Sequence, residues 1–190
     1  MDKELKDIVF CIVGLGLIGG SYAKALRRLG VKKIIAVDSD KAVLAQALEE
    51  GVIDAPCSVP DESLHEADVI IFAVYPAVIC DFVKKNVQHF KPGVLLTDAA
   101  GIKGDIIEGI DDLLGPGMDF VAGHPMAGRE GSGFAQSAAE IFDGANYIVV
   151  PRPGNDQENV TWLKEFAKVL GCKRVVEVSR QRHDQIIAYT

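Results

Sequence analysis

A chain of 190 residues is the size of one domain and short for two. Hydrophobic residues at 48 % and charged residues at 25 % exclude a disordered chain, and runs such as "VIIFAV" at 69–74 are far below the roughly 18 residues of a membrane span. A formal net charge of −7 argues against nucleic-acid binding and obliges any anionic substrate to find a local positive patch. The opening "MDKELKD" is charged and unlike a secretory signal, so a cytoplasmic protein is expected. Cys11, Cys57, Cys80 and Cys172 are scattered without a C-x-x-C pair and read as free thiols, with no metal site expected.

A first strand over 8–13 leads into a helix whose Ile18, Tyr22, Ala25, Leu26 and Leu29 share one face and whose stop is Gly30. A strand over 33–37 is followed by a helix that opens on Ser39 or Asp40 and closes on Gly51. The strand over 68–74 runs into a helix with Pro76 at its first position and Val78, Phe82 and Val83 as its buried side. Strands over 93–98, 120–123 and 147–151 come next. Asn155 stands three places before Glu158, a capping-box spacing, in front of a helix that ends at Gly171. A strand over 174–178 and a helix opening on Ser179 close the chain. The strand runs are apolar without alternation, as parallel strands covered on both faces should be. The fold class is therefore α/β, with a doubly wound, mostly parallel sheet.

"GLGLIGG" places Gly14, Gly16 and Gly19 as G-x-G-x-x-G between the first strand and the first helix, the context that a dinucleotide-binding turn requires. Gly14 permits the tight turn, Gly16 lets the backbone approach a pyrophosphate, and Gly19 lets the helix pack on the strand. Leu17 and Ile18 open the helix whose N-terminus offers free N–H groups to phosphates. Asp38 ends the second strand close to the ~20-residue separation expected of the ribose-binding acid. A carboxylate there binds two ribose hydroxyls and repels a 2′-phosphate, so NAD is favoured over NADP, a preference that Ser39 and Lys41 would soften. Val74 and Tyr75 end the third predicted strand at the sheet edge facing the cofactor, where Tyr75 lines the adenine or nicotinamide pocket. Residues 1–178 thus read as a Rossmann-type dinucleotide-binding domain.

A dehydrogenase acting on an alcohol also needs a base for the hydroxyl proton, and a histidine suits that work near neutral pH. His124 is the candidate: it ends the "FVAG" strand, Pro125 restricts its backbone, and Gly123 and Gly128 leave room for a substrate. His65 and His89 read as solvated. Arg129 and Lys103 are the local cations for an anionic substrate, with Arg180 and Arg182 more distant.

"GHPMAGRE" at 123–130, "IVGLGLIGGS" at the N-terminal end, "TDAAGIK" at 97–103 and the "HD" of 183–184 together resemble the prephenate dehydrogenase family of tyrosine biosynthesis, across essentially the whole chain. The resemblance implies NAD-dependent oxidative decarboxylation of prephenate to 4-hydroxyphenylpyruvate. His124 would take the ring-hydroxyl proton as hydride leaves C4, with Glu130 at the pocket mouth and His183 near the substrate. It also implies a homodimer, built through a helical domain that follows residues 179–190 and completes the pocket. Gly101 departs from the family, which usually has serine there. The sequence stops before the helical domain. Arogenate dehydrogenase, with the same chemistry, and an NAD-binding module without catalysis therefore stay open. A short oxidoreductase of the 3-hydroxyacid or pyrroline-carboxylate reductase type would not be expected to carry the H-P-M-A-G segment.

Overall fold

Strand–helix alternation begins at Val9 in the computed structural model, which describes residues 3–128 and 130–188. The order is β1 (Val9–Val13), α1 (Leu17–Arg28), β2 (Lys33–Val37), α2 (Lys41–Glu49), β3 (Ala55–Cys57), β4 (Val69–Phe72), α3 (Pro76–Asn86), β5 (Leu95–Asp98), α4 (Gly104–Ile110) and β6 (Asp119–Phe120). These strands form a six-stranded parallel sheet in the order 3-2-1-4-5-6. Successive side chains of β1 enter opposite cores: Phe10 and Ile12 pack with α1, Cys11 and Val13 with α3 and α4. Both faces are dry, which is why the apolar runs do not alternate. The strand order turns back between β1 and β4, the switch point at which an open α/β sheet binds ligands.

After β6 the chain leaves this sheet. β7 (Ala122–Met126) pairs antiparallel with β8 (Asn146–Val150), which pairs parallel with β9 (Arg174–Glu177) in a second, three-stranded sheet. The single strand expected over 120–123 is therefore two short ones, divided at Val121. His124 does not follow a strand end. It lies in mid-strand, opposite Ile148 of β8. Pro125 is tolerated beside it because β7 is an edge strand with an unpaired side. Gly123 does not make room for a substrate either: a Cβ there would lie 2.3 Å from Tyr147 Oη, so its bareness serves strand packing.

Helix ends largely follow the sequence, with two corrections. α5 (Gln157–Val169) is capped by Asp156, whose carboxylate accepts the Glu158 N–H at 2.8 Å. Asn155 instead accepts the Arg152 N–H and donates to Asp119 and the Phe120 carbonyl, bracing the end of β6. In α3 the buried residues are Ile79 and Val83, whereas Val78 is 43 % exposed because it faces the cleft at the switch point. Ser179 caps α6 (Arg180–Ile187) as expected, accepting the Arg182 N–H, and α6 packs back on α4 and β8. No described helix is long and apolar enough to cross a membrane.

Candidate active site

The glycine turn after β1 shows what each glycine does. Gly14 has φ +90°, and a Cβ there would meet Val74 Cγ1 at 2.6 Å and the Ala73 carbonyl oxygen at 2.7 Å. At Gly19 a Cβ would come within 1.8 Å of the Gly14 carbonyl oxygen, so α1 can approach β1 only without one. Gly16 has nothing within 4 Å of that position and leaves bare backbone facing open space. The first turn of α1 carries no acidic side chain to compete with a phosphate for the free N–H groups.

That space is a cleft of about 640 Å³, inside the roughly 300–1,000 Å³ range of small-molecule sites. Gly14, Gly16, Leu17, Ile18, Asp38, Val74 and Tyr75 line it, together with Ala100, Gly101 and Ser132. A second hollow of about 500 Å³ shares Asp38 and Ser39 and continues to Ser58, Phe82 and Lys85. Asp38 accepts the Leu15 N–H at 2.7 Å and the Asp40 N–H at 2.8 Å, which ties the end of β2 to the glycine turn. Its two oxygens keep acceptor capacity beyond those bonds. Tyr75 is 81 % exposed on the rim, just before α3.

At the other end of Gly101 stands the histidine. A Cβ on Gly101 would be 3.9 Å from both Cε1 and Nε2 of His124, so the imidazole borders the cofactor cleft. His124 Nδ1 lies 2.9 Å from His183 Nε2, and His183 Nδ1 lies 2.9 Å from Asp184 Oδ1. His183 is wholly buried. Partial burial, the Lys103 ammonium and the neighbouring His183 together lower the His124 pKa to about 4. The ring is neutral at physiological pH, as a base must be before it accepts a proton.

Lys103 is not the substrate cation expected of it. Its ammonium is fully buried, paired with Asp98 and donating to the Gly123 carbonyl at 2.5 Å. Asp98 also accepts the Gly123 N–H at 3.2 Å and the Ala100 N–H at 3.0 Å, so this ion pair fixes the backbone of β7 just before His124. Burial pulls the Lys103 pKa down, against the pull of Asp98 in the other direction. Arg180 pairs with Glu108, and Arg182 is exposed. Glu130 is exposed in the loop after β7, and Arg129 lies outside the described residues. His89 meets Glu62, and His65 is exposed. Sequence reading passed over Asp98 and Asp184 as sites because both look like ordinary strand-end and helix-surface acids. It also passed over the 131–133 loop, whose Gly-Ser-Gly composition signals a turn but not that the turn folds over the cleft.

Comparison with known proteins gives the same outline. A family profile described as "Prephenate dehydrogenase, nucleotide-binding domain" matches residues 22–176. A prephenate dehydrogenase of Bacillus subtilis is 31 % identical over 189 residues, covering 97 % of this chain and 50 % of its own length. The chain thus spans about half the length of the curated relatives it matches. The Aquifex aeolicus prephenate dehydrogenase, solved with hydroxyphenyl propionate and NAD+, superposes with a TM-score of 0.88 at 28 % identity, over 97 % of this chain and 64 % of that one. Synechocystis arogenate dehydrogenase gives 0.87 at 30 % identity, over 96 % and 63 %.

Proposed function

The chain belongs to the prephenate dehydrogenase family through its nucleotide-binding domain, and on that premise we propose that it serves the NAD-dependent oxidative decarboxylation of prephenate to 4-hydroxyphenylpyruvate in tyrosine biosynthesis. The observation that carries the reading is His124: an imidazole with a pKa near 4, set beside the space that Gly101 leaves at the end of the cofactor cleft. NAD, when bound, supplies the hydride acceptor. The N-terminus of α1 and the bare Gly16 backbone hold its pyrophosphate, and Asp38 accepts its ribose hydroxyls and disfavours NADP. Val74 and Tyr75 line the cleft, where they would border the adenine or the nicotinamide ring.

His124 accepts the ring-hydroxyl proton at Nε2 while C4 gives up hydride. The bond to the ring carboxylate then breaks, its electron pair enters the ring, CO₂ departs, and His124 returns the proton to the phenolate oxygen, leaving the aromatic product. His183 is buried with both ring nitrogens engaged by His124 and Asp184, so it supports His124 from behind instead of making the substrate contact expected of it. Glu130 stands at the pocket mouth, and Arg129 meets a substrate carboxylate. The equally close likeness to Synechocystis arogenate dehydrogenase supports arogenate as a second substrate reading with the same roles. The same reading has the longer enzyme as a cytoplasmic homodimer.

The test is His124→Ala in the chain that carries turnover. NADH formation should fall by ~10²–10⁴-fold, the usual contribution of a general base, while NAD affinity is retained. Turnover near that of the wild type would remove His124 from the chemistry.

A further inference from the structure

Three groups stand in line behind the cleft: His124, His183 and Asp184, joined by two contacts of 2.9 Å. Their chemistry fixes the direction of each bond. A carboxylate only accepts, so His183 Nδ1 carries the proton it shares with Asp184 Oδ1. In a neutral ring the other nitrogen is then a lone pair, and His183 Nε2 must accept from His124 Nδ1–H. That leaves Nε2 of neutral His124 bare, on the side bordering Gly101, and among the described residues no group hydrogen-bonds it. The opposite tautomer would place a proton on Nε2 and disarm the base.

We propose that Asp184 is a positioning residue for the reaction: through His183 it locks His124 in the Nδ1–H tautomer and so keeps Nε2 free to take the substrate's proton. The proposal rests on His124 being the base. Asp184 is itself anchored, since its Oδ1 also accepts the Lys103 backbone N–H at 3.3 Å. The middle of the line is sealed, because the His183 side chain is 0 % exposed, while Asp184 at one end is 36 % exposed and His124 at the other is partly open to the cleft. The charged and titratable groups around His124 are Lys103 and Asp98 on one side and His183 with Asp184 on the other. Lys103 opposes a proton on His124 before substrate binds. Once the proton arrives, the Asp184 carboxylate at the far end of the line offsets the new positive charge, as the acid of a catalytic triad does.

Nitrogen-15 NMR of the imidazoles in the folded, NAD-free chain at pH 7.5 tests this without requiring turnover. The wild type should show His124 Nε2 unprotonated and Nδ1 protonated. Asp184→Asn, whose amide can donate to His183 Nδ1, should shift His124 toward the Nε2–H tautomer and lower kcat by roughly 10-fold or more with KM little changed. Asp184→Glu should recover part of both. A wild-type His124 protonated at Nε2 overturns the proposal, and so does an Asp184→Asn protein with unchanged tautomer and kcat. If either result accompanies a His124→Ala enzyme that has lost turnover, the positioning role fails while the base assignment stands. If His124→Ala keeps turnover, both fall.

Discussion

Withdrawing His124 from water and setting it near the Lys103 ammonium lowers its pKa from the usual 6.5 to about 4, and neither influence acts in the unfolded chain. Between those two values the unfolded chain binds the extra proton, so protonation there favours unfolding. The stability that His124 leaves intact at neutral pH is lost as the pH falls from 6.5 through about 4. Melting temperature measured from pH 7.5 to 4.5 should therefore drop more steeply for the wild type than for His124→Asn, in which every other titrating group is kept. Parallel curves would mean that the imidazole is not held neutral by its surroundings. Lys103 obeys the same physics with a different outcome: its charge is buried with a matched partner, Asp98, and serves the position of β7 rather than a ligand.

Turn and helix act as one element at the start of α1, and the glycines divide its work. Gly19→Ala places a Cβ 1.8 Å from the Gly14 carbonyl oxygen, so the helix must move off the strand. Gly16→Ala meets nothing in the protein and intrudes only on the space facing α1's free N–H groups. Denaturant unfolding should show Gly19→Ala destabilised by 1–3 kcal/mol or more, the range for overpacking, and Gly16→Ala within about 0.5 kcal/mol of wild type. Calorimetric titration should show that Gly16→Ala has nonetheless lost NAD affinity. Equal stability losses in the two variants would contradict this division. The fingerprint was legible because each of its glycines answers a local need that sequence spacing reveals. β3 was not legible, being three residues long with a proline at its centre, nor was α4, whose seven residues include two glycines. The Asn155 cap misled because spacing cannot tell a helix cap from a brace one residue earlier: Asp119 and the Phe120 carbonyl, which recruit Asn155, come from β6, far away in sequence.

The whole molecule brings two sheets together at one cleft. The parallel sheet delivers the glycine turn, Asp38 and Val74 at its switch point, and the second sheet delivers His124 on β7. Gly101, in the middle of the loop between β5 and α4, lies between them. The pairing of β7 with β8 and the burial of His183 on α6 depend on contacts across dozens of residues, which is why the sequence named the histidines but not their alignment. An overall charge of −7 leaves the capture of an anionic substrate to local groups, with the loop after β7 as the proposed contributor. The most direct measurement is NADH formation by the purified chain and by the longest form of the protein that can be expressed, with prephenate and arogenate in parallel and NADP as the alternative cofactor. NADH should form from prephenate, or from arogenate under the second reading, with a clear preference for NAD. Protein that binds NAD yet forms NADH from neither substrate at either length would contradict the proposed function.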